Sequence, residues 1–266
     1  MGVISPVGND VNTFWSNLCN GVCGIDHIKS FPTDNLPVGI AGIIKDFKAE
    51  EYGMDKPFIR KQDLFTQYGV AAAYQAMKQS GLSSQGENKN IDPFRLGVYF
   101  GSGIGGFATQ YREISKMIED PSGQWISPLF IPTMISNIAA GHIAILNNAQ
   151  GPCLDIVTAC ATSTNAMGEA FRAIRNGYAD AIITGGCENA TIPIGIVGFA
   201  NAKALSRAPD PNYASLPFNG NRAGFVMADG SAALVLEEYE HAKARGAQIL
   251  GEMVGYGNTC DAYHST

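Results

Sequence analysis

Short apolar, β-branched runs alternate along this chain with stretches in which apolar residues recur every three to four positions. That alternation predicts an α/β layered fold. Helical spacing covers residues 11–20, 63–79, 108–117 and 132–146, and a charged stretch over 237–245. In the second of these, Phe65, Val70, Ala73, Tyr74 and Met77 form the apolar stripe, and Gly81 supplies the stop. Strand-type runs fall at 96–100, 154–157, 181–184, 232–236 and 249–255. Polar, Pro- and Gly-bearing segments at 85–93, 119–128 and 206–223 read as loops.

Composition narrows the picture. With 266 residues, 45% of them hydrophobic and 16% charged, the chain can bury a sizeable core in one large domain or two small ones. The 31 glycines fit a tightly turned backbone. A net charge of -6 argues against a nucleic-acid binder. No apolar run approaches a membrane span, and Met1 to Gly8 lack the pattern of a signal peptide. The six cysteines are scattered. Cys19 and Cys23 lie four apart with no matching Cys or His pair for zinc, so free thiols in a reducing cytoplasm are expected. No spacing implies a metal or redox cofactor.

Cys160 changes the picture most. The run Leu154-Asp155-Ile156-Val157 stops at Thr158, small residues follow, and Met167, Ala170, Phe171 and Ile174 then recur at helical spacing. A buried strand turning tightly into a helix at a cysteine would set a thiol at the free N–H groups of the helix start, which favour a thiolate. Such a residue suits covalent acyl transfer. A buried structural cysteine is the competing reading.

Strand 96–100 runs into Gly101-Ser102-Gly103-Ile104-Gly105-Gly106, a literal match to the dinucleotide fingerprint G-x-G-x-x-G. The acid expected about 20 residues on is met only by Glu119 and Asp120, inside a polar loop. The four glycines fit a second reading equally well. They let the backbone pass close to a neighbouring site, with Ile104 as the one bulky side chain.

Several motifs then converge in order along the chain: Ser5-Pro6-Val7-Gly8, the glycine loop, Thr158-Ala159-Cys160-Ala161-Thr162-Ser163, Gly185-Gly186-Cys187-Glu188, Arg222-Ala223-Gly224-Phe225-Val226, Leu236-Glu237-Glu238 and Asp261-Ala262-Tyr263-His264. Together they resemble the β-ketoacyl-acyl-carrier-protein synthases, nearest to the synthase II type of fatty-acid elongation. The resemblance implies a thiolase-like αβαβα fold, with residues 1–247 as the half that carries the nucleophile and 248–266 as the start of the second half. It implies that Cys160 takes an acyl group from acyl carrier protein and condenses it with a malonyl thioester. The Cys160 N–H would serve the oxyanion. Ala159 and Ile104 would contact the acyl chain, Ile104 as a gate, and Phe130 would line the acyl pocket of the partner in a homodimer, with the 132–146 helix near that interface. Arg60, Lys61 and Lys203 would dock the acidic carrier.

The family's two catalytic histidines, its lysine and a second glycine loop are expected beyond residue 266, and its first strand before residue 1, so a fragment is expected. His142 reads as structural, His241 as solvent-facing, and His27 as a loop residue, while His264 belongs to the Asp-Ala-Tyr-His stretch. Ala223, Asn219 and the pair Ala228-Asp229 depart from the family's usual residues around Arg222. A non-catalytic ketosynthase-like partner subunit is the alternative, and a dinucleotide-binding protein a more distant one.

Overall fold

The computed structural model describes residues 1–263, so His264 lies outside the described residues. Its centre is a mixed five-stranded sheet. The strands are β1 (Gly2–Ile4), β4 (Leu96–Gly101), β5 (Cys153–Leu154), β6 (Ala181–Glu188) and β7 (Gly230–Glu237), in the order β1-β7-β6-β4-β5. β4 runs parallel to both β5 and β6, while β7 pairs antiparallel with β6 and β1. Between β1 and β4 lie α1 (Val11–Cys19), a small ribbon of β2 (Ile25–His27) with β3 (Ile40–Gly42), α2 (Lys56–Lys61) and α3 (Leu64–Ser80). Then come α4 (Phe107–Glu119), α5 (Phe130–Met134), α6 (Ile138–Asn147), α7 (Thr162–Arg175), α8 (Pro193–Asn201) and α9 (Tyr239–Ala244).

Helices α3 and α6 cover one face of the sheet and α7 the other, giving three layers. The spacing that predicts α3 holds. The Asp63 carboxylate caps its start, accepting from Phe65 N–H, and Gly81 closes it in the left-handed region at φ +64°. α3 is buried on almost every side, so its core contribution exceeds the predicted stripe, although Tyr74 itself is exposed. Phe65, Val70, Ala73 and Met77 join Leu96, Val98, Phe100 and Ile143 in the main core. On the opposite face α7 buries small residues, Ala166, Gly168, Ala170 and Ala173. Small side chains let the helix approach the sheet closely.

Several expectations are corrected. The first residues are not a turn alone. Gly2 to Ile4 pair with Ser231 to Ala233, and Ile4 is fully buried, because the β-branched Val3 and Ile4 find a ladder partner in β7. The 154–157 strand is neither long nor buried. Only Cys153 and Leu154 pair with β4, and β5 is the sheet edge, with Leu154 and Val157 exposed. The 132–146 helix is two helices. Ile135 turns extended at ψ 135°, and the Gly106 N–H donates to Met134 O, so the glycine loop takes up a carbonyl at the break. Residues 249–255 form no ladder with any described strand, and an apolar run without a ladder partner is not a strand. His27 closes β2 rather than sitting in a loop. His241 is half-buried, with Nδ1 2.6 Å from the Glu237 carboxylate, rather than solvent-facing.

Candidate active site

Cys160 sits in a single 3-10 turn, Ala159–Ala161, between the end of the β5 segment and the first residue of α7. The turn is tight enough to force Ala159 to φ +50°, a left-handed conformation that a non-glycine residue adopts at a cost of roughly 1–2 kcal/mol. Hydrogen bonds hold it there. The Ala161 N–H donates to Thr158 O at 3.1 Å, and the Thr158 N–H donates to Thr162 Oγ1 at 2.9 Å. Asn165 Nδ2 donates to Thr158 Oγ1 at 2.7 Å, and the Tyr256 hydroxyl donates to Asn165 Oδ1 at 2.6 Å. Tyr256 lies over Gly168, where an added Cβ would stand 2.2 Å from its ring, and Arg172 stacks 4.9 Å from the ring centre. The cysteine is exposed. Cys187, by contrast, is buried beside Gly69 of α3, and burial pushes its thiol well up, which disfavours the thiolate.

The glycine loop runs past this turn. A Cβ on Gly101 would stand 2.3 Å from both Ile156 O and the Thr162 side chain, so only glycine admits the two backbones at that distance. An added Cβ on Gly103 would stand 2.9 Å from Glu188 Oε2 and 3.7 Å from Ala159 O. Ile104 follows, partly exposed. The loop N–H groups are already committed. Gly103 N and Ile104 N donate to Glu188 Oε2 at 2.9 and 3.2 Å, Ser102 Oγ donates to Glu188 Oε1 at 3.0 Å, and Gly105 N donates to Ser102 Oγ at 2.9 Å. Ser102 N donates to Asp155 Oδ1 at 3.3 Å. These donors are the ones a dinucleotide phosphate would need. Glu188, Asp155 and the Ser102 hydroxyl occupy them, which removes the dinucleotide reading of Gly101 to Gly106.

Three carboxylates lie around the site, Asp229 buried and Glu188 and Asp155 half-buried. Burial raises the pKa of Glu188, opposed by its bonds from Ser102, Gly103 and Ile104. Burial likewise raises Asp155, opposed by Ser136 and Ser102. Asp229 is raised in the same way, and it accepts from Ala190 N, Thr191 N and Asn189 Nδ2 at 3.0, 3.0 and 2.9 Å. Asp229 therefore anchors the loop ahead of α8 rather than adjusting the surface near Arg222. Sequence reading singled out none of these carboxylates as a site residue. Glu188 was visible only as the last letter of Gly185-Gly186-Cys187-Glu188, and nothing local shows what its side chain meets.

Phe130 opens α5, half-buried, in a cleft of about 250 Å³ that it shares with Arg60, Lys61, Arg112 and Thr133. Lys203, in the left-handed region at φ +58°, borders a separate cleft with Leu205 and Arg207. The structure thus joins Cys160, Ala159 and the Ile104 loop in one place and Phe130, Arg60 and Lys61 in another, with Lys203 apart. His142 packs edge-on against Phe58 at 4.9 Å, and burial lowers its pKa, in keeping with a structural side chain.

Residues 1–242 match the family model for the N-terminal domain of β-ketoacyl synthases. The chain belongs to the β-ketoacyl synthase family. It is 46% identical to 3-oxoacyl-[acyl-carrier-protein] synthase 2 of Vibrio cholerae over its whole length, which is 63% of that protein. It is 45% identical to the enzyme of the same name in Staphylococcus aureus, again over 100% of this chain and 64% of the relative. Among solved structures, a type II PKS acyl-carrier protein in complex with its ketosynthase bound to the hexaketide matches with a TM-score of 0.86 at 30% identity, covering 99% of this chain and 62% of that one. A β-ketoacyl synthase from Burkholderia phymatum matches with a TM-score of 0.85 at 27% identity, covering 99% and 64%. The fold is thiolase-like. The chain spans a little under two thirds of the length of these relatives.

Proposed function

We propose that this chain carries the acyl-accepting part of a 3-oxoacyl-acyl-carrier-protein synthase of the synthase II type. The observation that carries the reading is Cys160, exposed next to the left-handed Ala159 in the turn ahead of α7, with the glycine loop passing alongside. The Cys160 sulfur attacks the thioester carbonyl of an acyl carrier protein. The bond from carbonyl carbon to carrier sulfur breaks, and the carrier thiol leaves with the proton the cysteine gave up. The Cys160 backbone N–H, just ahead of the helix, donates to the oxyanion. A malonyl carrier protein then loses carbon dioxide. Its carbanion forms the new carbon–carbon bond at the acyl carbonyl and releases the Cys160 thiolate, giving a β-ketoacyl thioester. The decarboxylating histidines are proposed for the part of the relatives that this chain does not match.

In this reading Ile104 gates the acyl chain, Ala159 contacts it, and Phe130 lines the pocket of a second subunit. Arg60, Lys61 and Lys203 meet the acidic carrier, supported by their exposure beside two clefts. A homodimer through the β5 edge is supported by Leu154, Val157 and Ile145, which are 49%, 51% and 71% exposed along that side. Residues 1–247 form the first half-fold and 248–266 open the second, supported by the exposed Ile249, Leu250 and Val254. Free thiols at all six cysteines fit the cytoplasm, and no helix among the described residues is long and apolar enough to cross a membrane.

The test is intact mass after incubation with an acyl carrier protein, with Cys160→Ala as control. An acyl increment lost in the control is expected. An increment that persists in Cys160→Ala refutes the assignment.

A further inference from the structure

Strand β6 supports both halves of the site. Gly186 and Glu188 are two apart and so share one face of the sheet. At Gly186 an added Cβ would stand 2.8 Å from Ser163 Cβ, so the start of α7 rests on the strand there. At the strand's last residue, Glu188 reaches the glycine loop instead. Its two oxygens take the Gly103 and Ile104 N–H groups and the Ser102 hydroxyl, and that hydroxyl in turn accepts from Gly105 N. Four consecutive residues are thus tied to one carboxylate.

A segment with four glycines in six positions has many backbone states open to it. Contacts to its N–H groups select one of them. Glu188 grips the loop at the residue that matters, because the Ile104 N–H itself donates to Oε2, and Ile104 bears the loop's one bulky side chain. The start of the loop is fixed by close approach, with Gly101 against Ile156 O and the Thr162 side chain, the segment and helix start that flank the Cys160 turn. The loop is therefore held between Glu188 and the nucleophile turn, and displacing the carboxylate displaces Ile104 relative to Cys160.

We propose that Glu188 is a positioning residue that fixes Ile104 at its distance from Cys160 and thereby sets which acyl chain lengths load onto the cysteine. The inference rests on the reading of Ile104 as the acyl gate. Glu188 acts through the loop and does not touch substrate.

The experiment measures acyl loading of Cys160 by intact mass in the full-length protein, with medium-chain and long-chain acyl carrier protein in competition. Wild type is compared with Ile104→Ala, Glu188→Ala, Glu188→Gln and Ser102→Ala. The long-to-medium ratio is expected to move by about tenfold in Ile104→Ala and in the same direction in Glu188→Ala. Glu188→Gln keeps an acceptor for Gly103 and Ile104 and an amide for Ser102, so it is expected to retain the wild-type ratio. Ser102→Ala, which removes the hydroxyl's bond to Glu188 Oε1 and the acceptor for Gly105 N but leaves the Gly103 and Ile104 N–H bonds to Glu188, should shift the ratio partway. A wild-type ratio in Glu188→Ala beside a shifted Ile104→Ala overturns the inference and leaves the gate standing. A uniform fall in loading at both lengths overturns it too, since that is what a purely structural role gives. If Glu188→Ala does not fold, an unchanged ratio in Ser102→Ala overturns it. An unchanged ratio in Ile104→Ala removes the gate reading and the inference with it.

Discussion

Glu113 gives the sharpest quantitative prediction. Its carboxylate is 1% exposed on α4, yet it is charged at neutral pH. Burial pushes its pKa up, but the Ser127 N–H, the Lys116 ammonium and the Arg112 guanidinium outweigh burial and hold it at about 2. The contacts are 2.9 Å from Ser127 N to Oε2, 2.9 Å from Lys116 Nζ to Oε1 and 3.0 Å from Arg112 Nε to Oε1. This cluster ties the 120–127 loop back to α4 and so fixes the approach to Phe130.

A pKa lowered from 4.5 to about 2 corresponds to about 3 kcal/mol of native-state stabilisation at neutral pH. Arg112 and Lys116 are 57% and 36% exposed, and solvent screening of the two cations lowers the figure toward about 2 kcal/mol. Because the folded pKa lies below the unfolded one, this contribution is complete above about pH 5. It is lost as pH falls through 4.5 toward 2. Glu113→Gln keeps an acceptor for Ser127 and removes the charge. Urea unfolding of both proteins from pH 7 to pH 2.5 should show the variant about 2 kcal/mol less stable at pH 7, the gap narrowing below about pH 4. Other carboxylates titrate alike in both, so the difference isolates Glu113. A gap that stays constant down to low pH refutes the reasoning.

Gly168→Ala should destabilise the protein by about 1–3 kcal/mol, because the new methyl meets the Tyr256 ring at 2.2 Å. Added to Tyr256→Ala it should cost markedly less, and fully additive midpoints in a double-mutant cycle would show that the two do not meet. Reversing charge at Lys61 and Lys203 together should raise KM for carrier-bound substrate about tenfold with little change in kcat. An unchanged KM would remove both from the proposed docking surface.

The elements legible in the sequence are those whose signals are local. α3 announces itself through Asp63, its periodic core residues and Gly81, and the Cys160 turn through an apolar run broken by small residues. β1 was hidden because three residues become a strand only through β7, more than two hundred positions away. Likewise 249–255 has strand composition but no described partner, so composition alone misled. α8 went unread because Pro193-Ile194-Gly195-Ile196-Val197-Gly198 is apolar all round, with two glycines. Its helix is set by packing, with Gly195 against Ala190 O where a Cβ would stand at 2.4 Å.

The site follows the same division. The Cys160 turn and the glycine loop are visible as motifs because each needs particular residues in sequence. What brings them together is not local. Glu188 lies 84 residues from Ile104, and the turn is braced from the other side by Tyr256, 91 residues beyond Asn165. Both braces act on neighbouring groups rather than on Cys160 itself. That explains how the cysteine can remain exposed while its surroundings are fixed. A buried carboxylate is costly unless its oxygens are satisfied, and here every donor it takes belongs to the loop. The fold therefore meets the desolvation cost of Glu188 with the same contacts that remove the glycine loop's freedom.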